Sequence, residues 1–306
     1  MAGNNGFVAG IGSTNVDLLY SGLERLPNEG EEIYSKNFSI QLGGGIPATM
    51  INLGRLGINS KIATELGDDL FSSFAKSQFE KNGVTPLNLY KGSGIPLNVT
   101  SAMITKSDRT FMSFGKQRDV TEEMKNSAYE MCKGAKIAEM QVGEYFPVYK
   151  KLKEDGATIV FDCGFDENMT LKTYMPYIEL ADYYTPNRKE AMMITDTKTP
   201  MEAAKVLSKY FKKVVVKLDS EGCIGMENGQ SFIVPSIPEF KLEDSTGAGD
   251  AFLAGFIYGI YHSLPLYDSI LLGNITGGKC ITKVGCLAAE MDEDWLISMY
   301  EKYKRK

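Results

Sequence analysis

Residues 244–252 read Asp-Ser-Thr-Gly-Ala-Gly-Asp-Ala-Phe, placing two carboxylates, Asp244 and Asp250, around a run of very small side chains. The residues that follow, among them Ala254, Gly255, Phe256, Tyr258, Gly259 and Ile260, have the composition of a tightly packed buried helix. Where such a helix begins, little side-chain bulk covers Gly247, Ala248 and Gly249. Their amides can converge on an anion with the helix dipole behind them. Phosphate suits such a turn. Asp250 then falls in the first helical turn, where an ionised carboxylate is stabilised by the dipole and can take a proton from a nearby hydroxyl. The chemistry implied is phosphoryl transfer to an alcohol. The plainer alternative is that Asp244 or Ser245 caps the helix and the glycines only turn the chain.

Three further groups invite the same scrutiny. Asn15 and Asp17 follow an apolar stretch two residues apart, a spacing that in extended backbone puts both on one face, ready to hydrogen-bond vicinal hydroxyls. Beside glycine they would otherwise serve as turn formers. Gly43, Gly44 and Gly45 lead into an amphipathic segment, where glycine lets backbone approach a ligand, or simply joins a strand to a helix. Asn187 and Glu190 stand three apart at a helix start and share a side; favourable charge early in a helix would explain them equally. The segment GNITGGKC at 273–280 imitates a phosphate-binding loop. It lacks the hydroxyl at Cys280, and the stretch before it reads as helix rather than strand.

The elements that must position these residues alternate between β-branched apolar runs and amphipathic stretches, the pattern of a mostly parallel sheet covered by helices. Strands are expected over 7–11, 61–66, 136–140, 158–162, 182–185 and 213–218. Helices are expected over 46–56, 70–82, 147–155, 188–195, 201–211, 246–262, 266–283 and 293–304. Two regions, 18–40 and 97–114, break the alternation with short runs suited to antiparallel strands, enough for a small sheet outside the main layer. At 306 residues the length suits one large α/β domain.

Composition removes other classes. A net charge of −6 and a pI near 5.1, with no long basic block, exclude nucleic acid as a partner. No apolar run is long enough for a membrane span, and the N-terminus lacks a signal-peptide pattern, so a cytoplasmic location is expected. Five cysteines without a CxxC pair imply reduced thiols. One histidine, His262, gives a His-based metal site or a Ser/His/Asp triad little to build on.

Taken whole, DSTGAGDAFLAGF resembles the C-terminal signature of the ribokinase-like, or PfkB, carbohydrate kinase family. GGGIPATMINLGRLG at 43–57 is similar to the family's first signature, through Arg55-Leu56-Gly57. The segment around Asn15 and Asp17, with Pro27, Gly30 and Glu31, resembles its sugar-binding strand end, and TPNRKE its NxxE motif. The resemblance implies a three-layer α/β/α sandwich with a mostly parallel central sheet. Residues 1–306 would form a single kinase domain, with lid segments near 18–40 and 97–114 that pair in a homodimer. The implied activity is transfer of the γ-phosphate of ATP to a primary hydroxyl of a sugar or sugar derivative. Asp250 would be general base and Gly247, Ala248 and Gly249 the anion hole. Asn15, Asp17, Gly43 and Gly44 would bind the sugar. Asn187, Lys217, Ser220, Gly222, Gly247, Gly249 and Asn274 would bind the nucleotide, with Mg2+ held through water by Glu190 and Asn187. A monovalent cation, K+, would sit near Asp244, Thr246 and Gly285. The sequence departs from the family at Ala48, where many members carry Asn, at Asp219, a frequent Gly, and after Asp162, where the usual Asn and Arg are missing. A nucleoside kinase sharing the signature, or a non-catalytic sugar- or nucleotide-binding sensor, are the alternatives.

Overall fold

The computed structural model describes residues 6–116 and 118–305. Its central sheet is wholly parallel, formed by β1 (Val8–Ile11), β4 (Ser60–Thr64), β5 (Val84–Asn88), β8 (Ile137–Met140), β9 (Thr158–Phe161) and β10 (Tyr183–Tyr184). Their order is β10-β9-β8-β1-β4-β5. β1 and β8 are buried at every position, as strands covered on both faces must be. The chain runs outward from β1 through β4 to β5, then returns to β8 on the other side. The order therefore reverses between β1 and β8, and the carboxyl ends beside such a reversal form a crevice where ligands bind.

One helical layer holds α1 (Ile46–Arg55), α2 (Leu70–Lys81), α8 (Ala248–Tyr261), α9 (Leu266–Cys280) and α10 (Glu293–Tyr303). The other holds α3 (Glu122–Cys132), α4 (Phe146–Glu154), α5 (Leu171–Leu180), α6 (Arg188–Thr195) and α7 (Pro200–Leu207). The result is the expected three-layer α/β/α arrangement. α8 packs closest of all. A Cβ on Gly255 would come within 2.3 Å of Thr276 Oγ1, and one on Gly259 within 2.6 Å of Ser269 Cα. Thr276 Oγ1 also donates to Ala251 O at 2.6 Å. The helix that carries Asp250 is thereby clamped on α9.

β11 (Lys213–Lys217), expected in the parallel layer, forms an antiparallel sheet with β12 (Cys223–Glu227) and β13 (Gln230–Val234). It joins the main sheet through a parallel bridge between Asn187 and Lys217. The two irregular regions do meet in one small sheet, ordered β3-β2-β6-β7, from β2 (Asn15–Leu23), β3 (Asn37–Leu42), β6 (Asn98–Thr105) and β7 (Arg109–Phe114). Its central pair, β2 with β6, is parallel rather than antiparallel; β3, α1, β4, α2 and β5 separate the two strands in sequence. α3 and α5 were not expected. α3 has polar composition and is defined mainly by its Thr121 cap, and α5 contains Pro176, a residue that argues against helix.

Candidate active site

The anion turn begins at Gly247, which adopts φ 78° and caps α8 without any side-chain hydrogen bond. The helix therefore starts at Ala248, two residues later than expected. Glycine is required twice over, by the left-handed backbone and because a Cβ would lie 2.2 Å from Cys286 Cβ. The Ala248 amide turns back to Ser245 O at 3.2 Å. Among the described residues the amides of Gly247 and Gly249 have no backbone acceptor, so two of the three expected donors stand open at an uncapped helix start.

Asp250 follows Gly249 directly, within the first turn of α8. Burial pushes its carboxyl up to about 7; the Gly45 amide and the Lys217 charge pull it down, and Asp162 pushes it further up. A base is most effective with a value near the working pH. Gly44 passes so close that a Cβ there would lie 2.7 Å from Asp250 Oδ2, and one on Gly43 would lie 2.5 Å from Asn15 Nδ2. The glycine run is thus an approach of backbone to both polar groups. Ala48 is fully buried, and its neighbour Thr49 donates to Glu139 Oε1 at 3.3 Å. Glu139, unremarked in the sequence, lies in the same pocket of charge. Its Oε2 is buried without a hydrogen-bond partner, and burial, then Asp162 and Asp250, push its carboxyl well above the usual range.

At the start of β2 Asn15 Nδ2 donates to Asp17 Oδ1 at 2.5 Å and Gly43 N–H to Asn15 O at 2.8 Å. Burial raises Asp17 to about 6 against the pull of Asn15. Sheet register adds partners the sequence could not reveal. Thr100 lies opposite both Asp17 and Ser113; its hydroxyl reaches Asn15 Oδ1 at 3.2 Å and Ser113 Oγ at 2.9 Å. A cavity of about 490 Å³ opens here, lined by Ser13, Asn15, Gly44, Gly45, Thr100 and Gln141. Ser13 and Gln141 follow β1 and β8, so the cavity lies in the crevice where strand order reverses. A second cavity of about 430 Å³ adjoins it through Ser13, Asn98, Gly115 and Gln141 and extends to Glu65 and Arg118.

On the opposite side Lys217 Nζ lies 3.9 Å from Asp162 Oδ1 and would be 3.6 Å from a Cβ on Gly249. Burial works against its charge, but Asp162, Glu190 and Asp250 together hold its affinity for the proton above normal. Asn187 and Glu190 form a reciprocal cap: Glu190 N–H donates to Asn187 Oδ1 at 3.0 Å and Asn187 N–H to Glu190 Oε2 at 2.9 Å. Both readings of the pair are compatible, because Glu190 Oε1 stays outside the cap. Ser220, Gly222 and Asn274 meet in one wall. Ser220 O accepts from Ser236 Oγ at 2.6 Å, Gly222 has φ 92° with a Cβ position 2.1 Å from Val234 O, and Asn274 Nδ2 donates to Val234 O and Pro235 O, both at 3.0 Å. The Asn274 amide is thus engaged in holding the loop after β13.

Asp244, Thr246 and Gly285 also come together. Asp244 Oδ1 accepts from the Thr246 amide at 3.0 Å and hydroxyl at 2.7 Å, and Oδ2 from the Gly285 amide at 2.9 Å. Burial alone would raise the Asp244 carboxyl; the Gly285 and Thr246 donors, with Arg109, bring it below the usual value. Arg109, at the start of β7, was not foreseen in this group.

Residues 5–293 match the family described as pfkB family carbohydrate kinase. The chain belongs to the pfkB carbohydrate kinase family. It is 27% identical over 287 residues to the ribokinase of Lactococcus lactis, covering 91% of each chain. Its fold superposes on the structure of Arabidopsis thaliana ribokinase complexed with ribose and ATP with a TM-score of 0.81 at 20% identity, covering 97% of this chain and 99% of that one. It also superposes on the Methanocaldococcus jannaschii nucleoside kinase with a TM-score of 0.76 at 18% identity, covering 98% of this chain and 100% of that one. As a pfkB kinase the chain is a phosphotransferase of the ribokinase family, acting on a sugar or nucleoside. Among the described residues no helix is long and apolar enough to cross a membrane.

Proposed function

We propose that the chain transfers the γ-phosphoryl group of ATP to a primary hydroxyl of a sugar or sugar derivative, with Asp250 as general base. The observation that carries this reading is a carboxyl raised to about 7 in the same helical turn as the open amides of Gly247 and Gly249. Asp250 takes the hydroxyl proton as the oxygen bonds to the γ-phosphorus. The bond to the β,γ-bridging oxygen breaks and its electron pair leaves with ADP. The amides of the anion turn and Lys217 face the charge on the transferring group. Asn15, Asp17 and the backbone of Gly43 and Gly44 orient the sugar. Ser220 and Gly222 line the nucleotide side, and Asn274 shapes it by bracing the loop after β13.

Magnesium fits this donor set as a guest of the nucleotide rather than of a protein cage. Among the described residues no cluster of three or more His, Cys, Asp or Glu is built to hold a metal, while Glu190 Oε1 is left over from its cap and, with Asn187, can take waters on the ion. When bound, the ion neutralises phosphate charge.

The chain acts as one kinase domain, with the small sheet as its lid. All five cysteines are buried and unpaired, consistent with a reducing cytoplasm. Two copies pair through the lid, whose outer face exposes Phe38, Ile40, Met112 and Phe114 at 54, 42, 68 and 44%. A nucleoside is the second reading, favoured by one observation: the cavity at Glu65 and Arg118 gives room beside the sugar position for a second ring. ADP release measured across pentoses, hexoses, sugar acids and nucleosides tests both. Nucleotide binding without turnover on any acceptor would support the sensor alternative instead.

A further inference from the structure

Arg109 reaches from the lid across to the loop that leads into the anion turn. Its Nη1 lies 2.5 Å from Asp244 Oδ1 and also donates to Thr246 Oγ1. An ionised carboxylate offers about four acceptor positions. Oδ1 of Asp244 accepts from Arg109 and from both the Thr246 amide and hydroxyl, more than its own share, and Oδ2 accepts from the Gly285 amide. The Thr246 hydroxyl gives its hydrogen to Asp244 and receives one from Arg109, so it too is satisfied. The side chain of Asp244 is only 10% exposed, and the positive charge it faces belongs to the protein. A second lid strand, β3, braces the same loop: Gln41 Nε2 donates to Val284 O at 3.2 Å, and a Cβ on Gly285 would lie 2.3 Å from Gln41 Oε1.

The family resemblance places a free monovalent cation at Asp244, Thr246 and Gly285. These residues do not fit one here, because three donors already crowd Asp244 Oδ1 and the Arg109 guanidinium brings the positive charge that a free ion would supply. We propose that Arg109 is a tethered cation that takes the place of the free ion, making this enzyme independent of potassium. Because the guanidinium rides on β7, the order of residues 244–249 becomes conditional on the lid being seated. Arg109 touches neither sugar nor nucleotide in this account. It is a positioning residue that acts through Asp244 and Thr246 on Gly247.

The test compares wild type, Arg109→Ala and Arg109→Lys in potassium chloride and in tetramethylammonium chloride at matched ionic strength. Two quantities are read, the melting temperature of ligand-free protein and turnover by ADP release. Only the turnover arm rests on the kinase reading; melting reports cation binding even if no acceptor is found. Wild type is expected to melt and turn over alike in both salts. Arg109→Ala is expected to lose about 10- to 100-fold in kcat in tetramethylammonium, the scale of a displaced catalytic group. Potassium or added guanidinium ion should restore much of that loss, with a potassium-specific rise in melting temperature. A potassium-specific change in wild type overturns the proposal. So does an Arg109→Ala loss that neither ion restores, or no loss at all. Should the alanine variant not fold, Arg109→Lys decides the matter: both contacts come from the single nitrogen Nη1 and an ammonium also carries several donors, so kept turnover in both salts, or a loss that potassium restores, agrees with the tethered cation, and a loss that potassium does not restore refutes it.

Discussion

Replacing Asp250 by asparagine is expected to stop turnover and, at the same time, make the ligand-free protein harder to melt. The carboxyl is raised from 3.8 to about 7 chiefly by burial, so the folded chain binds this proton more tightly than the unfolded chain does. The stability gained from that preference is fully present below pH 3.8 and is lost as the pH rises through about 7. Above that, the folded state carries a buried charge that it would shed by unfolding. Each pH unit between the two values is worth about 1.4 kcal/mol, giving about 4 kcal/mol in all. The side chain is partly open to the cavity, and water there relieves part of the cost, so this is an upper value. Asparagine keeps the shape without the charge. At pH 8 the variant should therefore gain up to about 6 °C in melting temperature for a chain of this length, and at pH 5 less than half of that. Calorimetric melts of both proteins at the two pH values check the sign and the slope. Loss of a general base removes about 10²- to 10⁴-fold in rate, read by ADP release. No gain at pH 8, or an equal gain at both, would refute the buried-charge argument, and near wild-type turnover would refute the base assignment.

Asp17→Ala is expected to weaken sugar binding by about 10- to 100-fold, the worth of a hydrogen bond to a charged group, and to leave ATP affinity unchanged; calorimetry showing the reverse would mean the two sites are exchanged. Gly44→Ala puts a methyl group 2.7 Å from Asp250 Oδ2 and is expected to cost about 100-fold in kcat through displacement of the base, with nucleotide affinity intact. An unaltered kcat would show that the backbone does not set the position of Asp250. Sedimentation at micromolar concentration is expected to give a dimer, and Phe38→Ser with Met112→Ser a monomer. A wild-type monomer near 33.7 kDa with full activity would rule out pairing through the lid.

What the sequence discloses is local. Gly247 and the small residues around it announce a turn at a helix start because only tiny side chains tolerate that backbone, and β1 and β8 announce a parallel core because strands buried on both faces cannot alternate. The same locality misplaced the start of α8, since a left-handed Gly247 is outside the helix that its neighbours suggest. Thr100, Ser113, Gln141 and Glu139 were invisible for another reason. Each is an ordinary polar residue until register or strand order brings it to Asn15 or Asp250 from a distance of tens of residues. Arg109 is the extreme case, separated from Asp244 by 135 positions in a run whose composition suggested only an antiparallel strand.

The strands of the small sheet, the proposed lid, join three tasks. β2 starts at Asn15 in the cavity and runs on as the second strand of the lid, so its inward positions Asn15 and Asp17 and its outward positions Leu18 and Tyr20 alternate along one stretch of backbone. Tyr20 lies opposite Phe38, and Leu18 opposite Ile40, on the face proposed to meet a partner. β7 repeats the division: Arg109 and Ser113 point with the site, Met112 and Phe114 with the outer face. A strand cannot rotate one face without rotating the other. The proposed sugar contact, the hold of Arg109 on Asp244 and the proposed pairing surface must therefore move together, and a change that loosens the outer face is expected to reach the turn at Gly247 through Arg109 before it reaches the central sheet.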